Sequence, residues 1–316
     1  MLPPTRAWFQ IHFCVILWGF TAILGKLISL PAASLVWWRM ILVTGALLLF
    51  RGFWIGLRPL SGRLIAVYAG IGAIVALHWL TFYQSVKLAN ASVAATCMAL
   101  TPVFVAFVEP WVAQRRFDAR ELIFGIAVIP GVALVVGGTP IGMRSGIAAG
   151  VLSALLVAIF GSLNKRFIGH SDALTVTGIE MGAGAIVMTM LVPLLAGQQS
   201  GFVLPGLNDT LYLLALAIGC TLLPFALSLV ALRHLTAFSS ALAVNMEPVY
   251  SVLLAIVLLG EQRQLDPAFY AGVAVLLLVV FSHPLLVRHA PGATEVALTD
   301  GVAGVGQPGR DTNDSA

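Results

Sequence analysis

The chain has 316 residues, of which 59% are hydrophobic and 9% are charged, and its mean hydropathy is +1.00. Soluble domains carry about 25% charged residues, so this composition excludes a soluble globular protein and indicates one that crosses a membrane several times. The net charge of +4 does not indicate nucleic acid as a partner, because basic residues in membrane proteins set orientation. The lipid bilayer is the first expected partner.

Apolar runs of about 20 residues predict ten transmembrane helices. The predicted spans are 9–29, 34–52, 64–85, 91–113, 119–138, 145–163, 173–195, 210–230, 237–259 and 267–287. The longest internal loops, 52–63 and 196–209, are too short for a soluble domain. Residues 288–316 lack Phe, Trp and Tyr and are predicted to form a disordered tail. The expected fold class is therefore an all-α membrane protein with ten helices.

Lysine and arginine residues are distributed unevenly between the two sides of these spans. Of the 17, 12 fall on the side of the N-terminus and 3 on the opposite side, while Lys26 and Arg39 lie within spans. Cytoplasmic loops carry the excess of basic residues. We therefore expect both termini in the cytoplasm.

An internal repeat appears when the chain is shifted by 146 residues against itself. The third and fourth spans then match the eighth and ninth without a gap, with Pro102 on Pro248 and Lys87 on Arg233. Each copy holds five spans, an odd number, so the second copy enters the membrane with inverted orientation. Such repeats place a substrate site near the midplane. The predicted domains are a first repeat over 9–138 and a second over 145–287.

Glu247 is the most informative residue of the ninth span. A carboxylate in the middle of a membrane helix costs roughly 2.5–3.5 kcal/mol on insertion scales. It is interpreted either as a protonatable or cation-binding site, or as a structural partner of Arg39 or Lys26. Asn245 and Pro248 flank it, and Pro102 and Pro248 each free a backbone carbonyl that either lines a cavity or only marks a kink.

Other charged residues within the spans are also candidates for a functional or a structural role. Arg39 either binds a carboxylate with its guanidinium fork or snorkels to the interface beside Trp37 and Trp38. Lys26, in the last turn of the first span, suits snorkelling. Glu180, about a third of the way into the seventh span, is a candidate gate or coupling acid.

Aromatic residues in the third span form a further candidate surface. His78, Trp79, Phe82 and Tyr83 suit an amphipathic solute, although helix packing explains them as well. The candidate substrate-binding residues are Arg39, His78, Trp79, Tyr83, Asn245, Glu247 and Tyr250; the candidate coupling residues are Glu247 and Glu180; and the candidate structural residues are Pro102, Pro248 and Lys26.

Catalytic and cofactor motifs are absent from the sequence. It contains no phosphate-binding lysine loop, no HExxH, no GxSxG and no cluster of Cys and His. Cys14, Cys97 and Cys220 lie inside apolar runs without metal-ligand spacing. We therefore expect no enzyme activity, no cofactor and no metal.

Taken together, these motifs resemble the EamA-type members of the drug/metabolite transporter superfamily over about residues 9 to 287. The residues that carry the resemblance are Leu17-Trp18-Gly19-Phe20 leading to Lys26, Arg39, Phe82-Tyr83 leading to Lys87, Thr101-Pro102-Val103, and Met246-Glu247-Pro248-Val249 leading to Leu259-Gly260-Glu261.

The resemblance implies two inverted five-helix repeats around a central cavity in a bacterial inner membrane. It also implies export of a small amphipathic metabolite, an amino acid or a derivative, by alternating access. A nucleotide-sugar-type exchanger and a multidrug exporter of the same superfamily are the alternatives, and a membrane enzyme without a recognisable motif is the alternative from another class. Whether protons are a second partner, and which oligomer forms, stay open.

Overall fold

A computed structural model describes residues 3–113, 123, 127–195, 202–236, 240, 243–244 and 246–287. Every regular element within these residues is helical. The helices are α1 (Pro3–Leu27), α2 (Ala32–Leu48), α3 (Arg51–Leu57), α4 (Gly62–Leu88), α5 (Ala91–Met98), α6 (Thr101–Ala113), α7 (Ile129–Gly137), α8 (Arg144–Phe167), α9 (Ala173–Leu195), α10 (Leu207–Leu232), α11 (Glu247–Leu259) and α12 (Pro267–Val287).

Six helical segments in this part of the chain are long and apolar enough to cross a membrane: Thr5–Leu27, Gly62–Leu88, Ala91–Val112, Ile141–His170, Ala173–Leu195 and Leu207–Leu232. The pair α2 and α3 would make a seventh, and Glu247–Leu259 and Pro267–Val279 are shorter apolar helices. The described residues therefore hold six or seven candidate spans of a multi-pass all-α membrane protein, and the predicted count of ten is not confirmed. Residues 119–122 and 124–126 of the predicted span 119–138, and residues 237–239, 241–242 and 245 of the span 237–259, lie outside the described residues.

The predicted second span differs from the observed one. α2 ends at Leu48, the chain bends by 86°, and α3 occupies part of the stretch that was expected to be the loop 52–63. The bend is fixed in part by Trp54, whose Nε1 donates to the carbonyl of Leu48 at 2.9 Å. Trp54 and Ile55 are exposed, as is common for a short helix at the membrane interface.

Helices of the two halves of the chain are interleaved. α4 packs against α8 and α9, and α1 packs against α10 and α11. Residues with small or hydroxyl side chains let the helix backbones approach closely. Membrane helices depend on such close packing, because lipid provides no hydrophobic driving force for their association. One continuous buried core therefore includes residues of both halves.

Both aligned prolines stand just after a helix begins. α5 ends at Met98 and α6 begins at Thr101, so Pro102 is the second residue of α6. Pro248 is likewise the second residue of α11, which begins at Glu247. The first turn tolerates Pro because its missing N–H would have no helical acceptor there. Pro102 therefore follows a short break after Met98 within the span Ala91–Val112, and Pro248 follows a turn at Met246.

Polar contacts join sequence-distant helices at the end of the bundle where α1 ends, which we call the far end. The carboxylate of Glu261 accepts from the backbone N–H groups of Ala91 (3.0 Å) and Ser92 (2.9 Å) and so caps α5. Lys87 donates to the carbonyl of Ile28. These contacts satisfy free backbone groups at helix ends and close the far end.

Similar contacts occur at the opposite end, which we call the near end. The ammonium of Lys165 donates to the carbonyls of Leu232 (2.7 Å) and Leu235 (2.5 Å), past the last turn of α10. The hydroxyl of Tyr68 donates to the carbonyl of Phe167 at 2.8 Å. Cations at a helix C-terminus also interact favourably with the helix dipole.

Gly72 provides the closest backbone approach between α4 and α9. A Cβ atom at this position would lie 2.1 Å from the carbonyl oxygen of Glu180. Gly70, two residues earlier on the same helix, has no atom within 4 Å of its Cβ position.

Gly72→Ala is therefore expected to lower the apparent melting temperature and the yield of monodisperse protein in detergent, because backbone cannot move aside as a side chain can. Gly70→Ala is the matched control, and it should be neutral or stabilising by up to about 1 kcal/mol through helix propensity. Equal melting temperatures for the two variants would contradict the close contact between α4 and α9.

Candidate functional site

A cavity of about 140 Å³ lies between α1, α2, α4, α5, α6, α8, α10 and α11. Its lining is mainly apolar and aromatic, with a few hydroxyl groups and two charged side chains. The lining residues are Trp18, Thr21, Arg39, His78, Trp79, Phe82, Met98, Thr101, Val105, Val157, Phe160, Gly161, Thr221, Phe225, Ser228, Leu232, Ser240, Val244 and Glu247. It extends from the middle of the bundle to Leu232 at the near end, so it lies on the side away from the Glu261 cap.

Arg39 of α2 is 1% exposed and points inward. Its Nε donates to the hydroxyl of Thr221 (2.5 Å) and its Nη1 to the hydroxyl of Tyr83 (2.9 Å). Its Nη2 lies 3.4 Å from the carbonyl oxygen of Cys220. The guanidinium stacks on Trp79, with Cζ 3.7 Å from the ring centroid, in cation–π geometry. All of these partners are neutral, so the positive charge of Arg39 is oriented but not neutralised by them.

A π-helical segment of α10, Ala215–Leu222, provides two of these partners. Such segments shift backbone carbonyls out of the regular i to i−4 pattern and occur often at functional sites. The hydroxyl of Thr221 donates to the carbonyl of Leu216 at 2.6 Å, which leaves its oxygen lone pairs for Arg39. Neither Thr221 nor Cys220 was predicted as a site residue, because nothing in the apolar run 210–230 marks a π turn.

Glu247 begins α11, is 8% exposed and lines the same cavity as Arg39. The two groups are near enough to interact electrostatically, yet no hydrogen bond or ion pair joins them in the part of the chain that the structure describes. The dipole at the N-terminus of α11 favours negative charge there. The cavity thus holds two opposite charges that face a common space without direct contact.

His78 is fixed by Ser153 of α8. Its Nδ1 lies 2.7 Å from the hydroxyl oxygen and 3.1 Å from the carbonyl oxygen of Ser153, and that hydroxyl lies 3.0 Å from the carbonyl oxygen of His78. The imidazole ring also contacts Phe160, with 5.5 Å between ring centroids. His78 is therefore a positioned wall residue, and Ser153 is a partner that the sequence analysis missed.

The structure brings four of the predicted substrate-binding residues to the cavity wall: Arg39, His78, Trp79 and Glu247. Tyr83 lies behind Arg39 and is fully buried. Tyr250 is 36% exposed, and its Cβ lies 3.0 Å from the Cβ position of Gly19, outside the cavity lining. Tyr250 therefore lies outside this cavity, and its contact with substrate stays a prediction.

Three other predicted residues lie elsewhere or cannot be placed. Glu180 is fully buried between helices but is not part of the cavity lining. Lys26 is partly buried at the far end, beside Lys87. Asn245 lies outside the described residues.

Two segments, residues 7–137 and 144–283, match the model of the EamA-like transporter family. The chain belongs to the EamA-like transporter family. It is thus a multi-pass membrane transporter of the drug/metabolite transporter superfamily, and its family is not one of enzymes. Two matches in one chain imply duplicated halves, in agreement with the equivalent helix starts at Thr101 and Glu247.

Solved structures confirm the fold of this EamA-like transporter. One crystal structure superimposes with a TM-score of 0.63 and 19% sequence identity, over 90% of this chain and 99% of the other. At this identity the likeness shows the fold alone. No curated protein sequence matches the chain.

The contact between Arg39 and Thr221 predicts the effect of a single substitution. Thr221→Val keeps the shape of the side chain but leaves the buried Nε of Arg39 without its acceptor, at a cost of about 1–3 kcal/mol. The apparent melting temperature of the purified protein should fall measurably. Thr210→Val, which removes only a hydroxyl bonded to the carbonyl of Gly206 on the same helix, is the matched control. Equal melting temperatures would show that Thr221 does not support Arg39.

Proposed function

We propose that this EamA-like transporter exports a small amphipathic metabolite, an amino acid or a derivative, by alternating access. The observation that carries the proposal is the placement of Arg39 and Glu247 on one apolar and aromatic cavity without contact between them. A zwitterion has a carboxylate and an ammonium group on one carbon skeleton. Such a molecule complements two separated opposite charges better than a neutral or singly charged solute does.

Each part of the cavity has a role in this scheme. The N–H groups of Arg39 that its three neighbours do not occupy bind the substrate carboxylate. Glu247 accepts the ammonium group or, when the site is empty, a coupled proton. Trp79, Phe82 and Phe160 form the apolar wall that contacts the side chain of the substrate.

Membrane topology forms the second part of the proposal. We place ten spans in two inverted repeats, 9–138 and 145–287, with both termini in the cytoplasm of a bacterial cell and the protein in the inner membrane. The tail 288–316 lies outside the described residues and stays a prediction. In this orientation the near end faces the cytoplasm, so a cavity that extends to Leu232 suits loading of substrate before export.

Among the alternatives, a nucleotide-sugar-type exchanger is disfavoured by charge. Arg39 is the one Lys or Arg in the described cavity lining, and a diphosphate requires more positive charge than this. A multidrug exporter is compatible with the aromatic wall but leaves the pair Arg39 and Glu247 unexplained.

Glu247→Gln tests the proposed role of the carboxylate. Efflux of radiolabelled amino acids, presented as a mixture, is measured from cells that overproduce the wild-type protein or the variant at equal abundance in the membrane. A hydrogen bond to a charged group contributes about 1.5–3 kcal/mol, so efflux of the exported amino acid should fall about tenfold or more.

Tyr250→Phe, which alters a residue outside the cavity lining, is the matched control and should transport like the wild type. Undiminished efflux by Glu247→Gln would remove Glu247 from the mechanism. Absence of amino acid efflux from the wild type itself would contradict the proposed substrate class.

A further inference from the structure

Glu180 of α9 is a second intramembrane acid, and it does not line the cavity. Its side chain is fully buried. Oε2 accepts from Nδ2 of Asn164 on α8 over 3.5 Å. The other carboxyl oxygen, Oε1, and the amide oxygen of Asn164, Oδ1, have no hydrogen-bond partner among the described residues. Two neighbouring side chains thus each leave a buried acceptor unsatisfied.

The chemistry of this pair requires a proton. An ionised carboxylate and an amide oxygen both only accept hydrogen bonds, so neither can satisfy the other. A protonated carboxyl group has an O–H that can donate to Oδ1 of Asn164, while Nδ2 of Asn164 donates to Oε2 of Glu180. The two side chains then form a cyclic acid–amide pair in which both oxygens without partners are satisfied.

Basic groups on α8 and at the end of α10 do not neutralise Glu180. Lys165 donates to Leu232 and Leu235, and Arg166 donates to the carbonyl of Val112. Arg233 donates to the carbonyl of Ser171.

Within the described part of the chain, the other helices packed against α9 do not supply a counter-charge either. Tyr68 of α4 is near enough to Glu180 to interact with it electrostatically. Its hydroxyl, however, donates to the carbonyl of Phe167 and not to Glu180. Arg39 of α2 points into the cavity. Arg63 of α4, Arg51 of α3 and Arg58, which follows α3, are exposed. Among the described residues, an ionised Glu180 would therefore be a buried charge without an ion-pair partner, which is strongly destabilising.

We propose that Glu180 binds a proton, with Asn164 as its acid–amide partner, and that this proton site is separate from the substrate cavity. Protonation forms one O–H bond on Glu180 and takes the proton from water at the near end; release returns the proton to water and leaves a carboxylate.

The position of the site links protonation to conformation. The backbone of Glu180 touches Gly72 at the close contact of α4 with α9, where helices from the two halves of the chain meet. A carboxylate at this place requires water or a cation, so release of the proton must loosen the contact. This coupling rests on the proposed transport function, whereas the protonation itself does not.

Infrared spectroscopy of the purified transporter in lipid tests the protonation directly. At neutral pH the wild type should show a carboxylic acid C=O band that the Glu180→Gln spectrum lacks and the Glu247→Gln spectrum retains. Glutamine keeps one donor and one acceptor for Asn164, so the first variant should fold. Asn164→Leu should shift the band to higher frequency, because the acid loses its hydrogen-bond partners.

A carboxylic acid band of equal intensity in the wild type and in Glu180→Gln would overturn the proposal. A wild-type carboxylate band at this residue that responds to added sodium would also overturn it, and would indicate a cation site. In the wild type, the band that Glu180→Gln lacks must also decay as the pH rises. None of these results depends on the identity of a transported metabolite.

Distance measurements test the coupling. Spin labels at the exposed positions Gly70 on α4 and Ile186 on α9, in a background without the native cysteines, should move apart over the pH range in which the acid band decays. In Glu180→Gln the distance should not change with pH. The same pH dependence in both proteins would contradict a coupling through Glu180.

Discussion

Burial of the charge of Arg39 is the constraint on which the rest of the site depends. A cation that is 1% exposed inside a membrane protein costs several kcal/mol unless its donors are bonded. Tyr83 on α4 and the π-helical segment of α10 supply those bonds, so α2, α4 and α10 must meet around the guanidinium. Because the bonds come from neutral groups, the positive charge stays available to a ligand.

The helix breaks at Thr101 and Glu247 contribute the second element of the site. Equivalent positions of the two halves begin α6 and α11, so a duplicated backbone feature brings one residue from each half to the same cavity. In the first half that residue is a threonine and in the second a glutamate. The duplication thus provides the architecture, and the single carboxylate makes the cavity asymmetric and gives it a charge opposite to that of Arg39.

Site residues whose charge makes burial in a membrane unfavourable were predictable from the sequence. Site residues with a hydroxyl group, whose burial costs little free energy, were not. Arg39 and Glu247 stand out because charges within apolar runs are rare, and both reach the cavity. Thr221 and Ser153 were missed because a hydroxyl in a membrane helix can bond to its own helix and leave no pattern. Tyr250 lies beside Gly19 and outside the cavity lining, which the sequence does not reveal because it does not show which face of α11 is turned to the cavity. The family was recognisable from its motifs. The count of ten spans is not confirmed, because the last two apolar helices are short and parts of 119–138 and 237–259 lie outside the described residues.

The central claim is that Arg39 and Glu247 hold opposite ends of one zwitterionic substrate. The most direct measurement compares binding of an exported amino acid, its methyl ester and its des-amino analogue to wild type, Arg39→Gln and Glu247→Gln by isothermal titration. Both analogues should bind the wild type about tenfold or more weakly. The ester should lose no further affinity in Arg39→Gln, and the des-amino analogue none in Glu247→Gln. The account would be contradicted if the loss of affinity from each substitution and the loss from each change of ligand added in every combination of protein and ligand.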